Sequence, residues 1–174
     1  MTKFLLSLHV LAAIIAVGPV TVAASMFPPS ARKALAEPGS ERAAAAVRLL
    51  HRICRVYGGV GIAVPVLGFA TAMSMGVLND AWLIASMLLT ALAAMVLLAL
   101  VLPRQEEILA GLGGSATGSP TTGSPATGTA DTATGTAVDT RATARLAMFT
   151  GVFNLLWATV TILMIVRPGS TTQA

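Results

Sequence analysis

Four stretches of the chain are predominantly apolar and contain no Asp, Glu, Lys or Arg: Phe4 to Met26, Val56 to Leu78, Trp82 to Leu102 and Leu146 to Val166. Each is roughly twenty residues, about 30 Å of helix, which matches a bilayer's hydrocarbon core. The punctuation falls between them. Pro28 and Pro29 close the first stretch, Asn79 and Asp80 join the second to the third, Pro103 ends the third, and Pro168 with Gly169 ends the fourth. Pro19 and Pro65 lie inside spans and are expected as kinks, because neighbouring helices can satisfy the carbonyls they free. The pattern predicts an all-α fold, a single transmembrane four-helix bundle.

A second pattern precedes the second span. Pro38-Gly39-Ser40 reads as a helix start, with Ser40 as cap and Glu41 in the first turn. The predicted helix is cytoplasmic and amphipathic, and it runs on into the span. Counted at 100° per residue, Arg48, His51, Arg52 and Arg55 share one face, and Val47, Leu50 and Cys54 fall roughly opposite. The apolar side continues as Gly58, Gly61, Pro65, Gly68, Ala72 and Gly76, a seam of small residues that lets another helix approach closely. Other spans carry similar faces, including Ser86, Thr90 and Ala93 in the third, and Ala147, Gly151, Asn154, Ala158 and Thr161 in the fourth.

Composition sharpens this picture. With 174 residues, 55% hydrophobic and only 10% charged, and a mean hydropathy of +0.81, the chain is not an ordinary soluble domain. Its pI near 10.2 is better explained by loops facing anionic lipid than by nucleic acid, since no basic helix with aromatic stacking partners is present. Nine Lys and Arg lie in the first and third loops and two, Lys3 and Arg167, on the opposite side. That bias places loops one and three in the cytoplasm and both termini outside. Lys3 before an apolar run ending in "VAAS" could mark a signal peptide, but the run is long and leads into further spans. From Gly111 to Thr140 the composition becomes Thr, Gly, Ala, Ser and Pro, which predicts a disordered loop. The lone Cys54 is either a small buried hydrophobe or a palmitoylation site at the membrane edge.

Candidate chemistry is sparse. No Asp, Glu, Lys or Arg lies within the spans and His9 is their one histidine, which argues against proton relays and ion-coupled carriers. His9 lies about 8 Å from the outer end of its span, and the antiparallel run of the helices puts Ser86 and Thr161 at nearly the same depth. These three form the predicted outer polar cluster. His9 is either an interhelical hydrogen-bonding residue or part of a ligand, metal or haem site; Asn154 reads as interhelical glue. Arg48, Arg52 and Arg55 read either as contacts to anionic headgroups, at about 1 kcal/mol each, or as a plain positive-inside signal. "GGVG" at 58 to 61 follows no strand, so it is not a dinucleotide fingerprint, and no nucleophile with its base is present. The chain is expected to be no enzyme and to need no cofactor. It reads as a bundle binding lipid or a membrane partner, a second copy included; the alternatives are a permease-like or transport accessory protein for a small, weakly polar compound and a haem or metal redox protein.

His9 followed by Gly18, the Arg-flanked glycine-rich second span, and Trp157 leading to "VRPG" together resemble an uncharacterised family of small four-span bacterial integral membrane proteins, a domain of unknown function. The resemblance covers the spans. It implies a bacterial plasma membrane and no catalytic residue.

Overall fold

The computed structural model describes residues 2–117 and 129–168. Every described element is helical: α1 (Thr2–Ala36), α2 (Glu41–Val60), α3 (Ala63–Met75), α4 (Ala81–Met95), a π-helical turn (Val96–Val101), α5 (Leu102–Thr117) and α6 (Thr129–Val166). They build four rods long and apolar enough to cross a membrane, Thr2–Ala36, Glu41–Met75, Ala81–Gly113 and Arg141–Val166. Large apolar side chains such as Phe4, Ile14, Leu88, Leu155 and Ile165 point outward, giving a surface suited to hydrocarbon.

Two of the expected stops do not stop the helix. α1 continues through Pro28 and Pro29 to Ala36, because Phe27, Pro28, Ala31 and Ala34 are buried and tertiary packing holds its last turns. It ends where Pro38 and Gly39 (φ +92°) turn the chain. Pro103 likewise does not end the third rod. The π turn ahead of it widens the helix, with the Leu102 N–H bonded to the Leu97 carbonyl, and so absorbs a proline that has no N–H to give.

The second rod begins as expected. Ser40 adopts an extended backbone (φ −74°, ψ 94°) and its hydroxyl accepts the Ala43 N–H at 3.4 Å. α2 then runs unbroken past Val56 to Val60. Pro65 cannot donate to the Gly61 carbonyl, which instead takes the Val64 N–H at 3.1 Å. The rod is therefore interrupted at Gly61 and Ile62, the position the proline dictates. α3 closes on Gly76 (φ +69°), and the Val77 N–H returns to the Ala72 carbonyl at 3.3 Å.

The predicted loop from Gly111 to Thr140 is entered by helix from both sides, α5 as far as Thr117 and α6 from Thr129; residues 118–128 lie outside the described residues. Extending an established helix through Ala and Thr costs far less than nucleating one.

α1 is the central rod. It packs along α2 and α3 on one flank and α6 on the other, while α4 packs on α6 and α5 on α2. The core includes Phe27, Val47, Val101, Leu146 and Phe153. α3 and α4, although consecutive, meet only beside their turn, around Ala72, Trp82 and Leu83. One side of the bundle is therefore parted.

Candidate functional site

His9 sits at the α1/α3 contact. Its Nδ1 lies 3.0 Å from the Val64 carbonyl oxygen, so that nitrogen carries the proton and donates. The ring rests on Gly68: a Cβ there would come within 2.9 Å of His9 Cε1. Absence of a side chain at Gly68 is what lets the histidine reach the backbone. The other two members of the predicted outer cluster bond elsewhere. Ser86 donates to its own helix at Trp82 O (2.8 Å), and Thr161, which is exposed, donates to Trp157 O (2.9 Å). A helical hydroxyl reaches the carbonyl one turn back before it reaches a neighbouring rod. No hydrogen bond joins the three residues.

The predicted packing seam divides into parts with different jobs. Gly68 faces His9 of the same chain, and Ala72 is buried against Trp82 and Leu83. Gly76 serves as the left-handed cap of α3, and Gly151 is exposed with nothing within 4 Å of a Cβ built on it. Asn154 Nδ2 donates to Ser25 Oγ at 3.0 Å, tying α6 to α1. Gly58 and Gly61 line a cleft.

That cleft, about 100 Å³, lies between α1 (Ala16, Val20), the interrupted second rod (Tyr57, Gly58, Gly61, Ile62, Pro65), α4 with its π turn (Thr90, Ala94, Leu97, Leu98) and α6 (Phe153, Trp157). Its walls are almost wholly apolar. An apolar cavity of that order stays dry and accepts hydrocarbon. Phe153 and Trp157 meet edge to face, 6.5 Å between centroids, and form its α6 wall. His9 is not among the lining residues. All of the lining lies in the middle of the bundle and in the half nearer the arginine-rich loops, since α1 and α4 run toward those loops while α2, α3 and α6 run away from them.

At that basic end the three predicted headgroup residues differ. Arg48 is drawn to Glu41 at 3.4 Å, an exposed pair worth little. Arg52 and Arg55 are exposed and, among the described residues, have no hydrogen-bond or ion-pair partner. Ile62, seven residues beyond Arg55 at the interruption of the same rod, lines the cleft.

His51 does not belong to the basic face. It is 9% exposed and joins Ala43, Val47 and Cys54 on the buried side of α2. Its angular position is ambiguous from sequence: it lies about 40° from Val47 and about 40° from Arg55, on the boundary of the two faces. The partner that decides the matter is on α5. Gln105, fully buried, presents Oε1 to His51 Nδ1 at 3.1 Å and its amide nitrogen to Cys54 Sγ at 3.6 Å. No sequence signal marked Gln105, which follows Pro103 in a segment expected to have left the helix.

At the far end, Trp82 is buried, bonds Asp80 Oδ2 through Nε1 at 3.0 Å, and has the Arg167 guanidinium carbon 5.5 Å from its ring centroid. Among the described residues no group of three His, Cys, Asp or Glu side chains is placed to hold a metal. No family model, curated protein or solved structure matches the chain.

Proposed function

We propose that this protein is a non-enzymatic membrane bundle that binds an anionic lipid, its headgroup at Arg52 and Arg55 and part of an acyl chain in the adjoining cleft. One observation carries the reading: an apolar cleft lined by the interrupted second rod and by α4 lies in the same half of the bundle as two arginines that have no partner among the described residues. Charge and hydrocarbon are thus presented in the order a lipid from that leaflet would meet them. The reading includes a bacterial plasma membrane, both termini outside, and the cleft in the cytoplasmic leaflet; it takes up the family resemblance drawn from His9, Gly18 and Trp157. It is preferred to a permease-like role because the cleft's lining is apolar and lacks His9.

The chain's two tryptophans make the test direct. In a Trp82→Phe variant, Trp157 in the cleft wall reports alone. Reconstituted into vesicles, its fluorescence should be quenched more strongly by bromine-labelled phosphatidylglycerol than by the equivalent phosphatidylcholine at equal mole fraction. Adding Arg52→Gln and Arg55→Gln should remove that preference, at about fivefold per arginine. Equal quenching by the two lipids before the arginines are changed would end this reading.

A further inference from the structure

The buried histidine at the basic end has oxygen acceptors facing both ring nitrogens. Gln105 Oε1 lies 3.1 Å from Nδ1, and Glu106 Oε1 lies 3.7 Å from Nε2. In the structure the Gln105 amide nitrogen is turned to Cys54 Sγ, which leaves Oε1 toward the histidine. A neutral imidazole has one N–H and one lone pair, so it can satisfy only one of these oxygens. An imidazolium donates on both sides and adds charge attraction to Glu106.

We propose that His51, Gln105 and Glu106 form a proton-operated latch between α2 and α5, which closes when the imidazole takes up a proton and loosens when it loses one. The surrounding charges leave Glu106 as its counter-ion. On α2, Arg48 is engaged with Glu41, and Arg52 and Arg55 project to the exposed side; Cys54 shares the pocket through Gln105. On α5, Arg104 and Glu107 pair with each other at 3.0 Å. From α1, Ala23 and Ala24 pack at the level of Cys54, and Arg32 gives its Nε to Thr143 of α6 at 3.4 Å. α2 carries both the latch and the two arginines of the proposed lipid site, so the latch would set how firmly that platform is held; its own geometry does not depend on lipid binding.

The test is hydrogen exchange on the full chain in detergent, with rates corrected for intrinsic pH dependence, following the α5 amides from Glu106 to Gly113 at pH 5.5 and pH 8, a window across which histidine side chains change charge. Protection at the lower pH should rise about threefold, the scale of a partly exposed ion pair. Glu106→Gln, a surface change that leaves the Gln105 contact intact, should abolish the rise while preserving the fold. His51→Gln should give protection independent of pH. Protection in the unaltered chain that is equal at the two pH values, or greater at pH 8, would overturn the latch, as would a rise that survives Glu106→Gln. None of these outcomes bears on lipid preference, which the fluorescence experiment reads separately.

Discussion

The second rod is flanked by two contrasting contacts. On the α1 side a glycine is used to bring rods together: Gly68 is bare so that His9 can lie on it and reach the Val64 carbonyl. On the α4 side glycines accompany a cleft: Gly58 and Gly61 line it, with Leu97 across from Gly58, and the rod itself is interrupted beside them. The same residue type in the same seam therefore supports close approach in one half and a cleft in the other. What differs is the partner, a planar ring with a hydrogen bond to make against a π turn of branched aliphatic side chains.

The contrast is broken most strongly at Gly68. Gly68→Ala places a methyl group 2.9 Å from His9 Cε1, so the ring must move and the bond to Val64 is lost. The expected cost is about 1–2 kcal/mol in a reversible unfolding assay in detergent or bicelles. In a His9→Ala background the same substitution should cost almost nothing; an undiminished cost there would show that the glycine serves something other than the histidine.

Gly58→Ala should have the opposite sign. Its new methyl meets Leu97 Cδ2 at 3.4 Å, an ordinary contact, while alanine favours the helix. A gain of about 0.5–1 kcal/mol is expected from the same assay, together with weaker bromine quenching of Trp157 as the cleft narrows. Destabilisation would mean that the two walls already touch as tightly as those at Gly68.

The smallest effect is expected on α1's other flank. Asn154→Leu removes the bond to Ser25 but also removes a buried Oδ1 that has no partner, so the net loss should be about 0.5 kcal/mol. A loss as large as that of His9→Leu would place the polar tie of α6 on a par with that of α3.

Much of this architecture could be read from the chain. Uncharged runs of the right length gave the four rods, and Ser40 with Glu41 gave the start of α2, because those signals depend on local chemistry. The features that escaped depend on partners. His51 lies on the border of two faces, and only the arrival of Gln105 from a helix continuing past Pro103 draws it inward. Ser86 and Thr161 share a depth with His9, yet depth does not compete with a carbonyl one turn away on the same helix. The cleft follows from the separation of α3 and α4, which neither sequence states alone.

One further property follows from the way Cys54 is enclosed. It is the chain's sole thiol and is 0% exposed, sealed by Gln105 and by Ala23 and Ala24. A reagent that attacks accessible sulfhydryls should thus find nothing to modify on the native surface. Single cysteines introduced at Gly39 and at Asn79, in the turns at opposite ends of the bundle, could then be mapped with an impermeant maleimide on intact cells, with no prior mutation needed to silence the background.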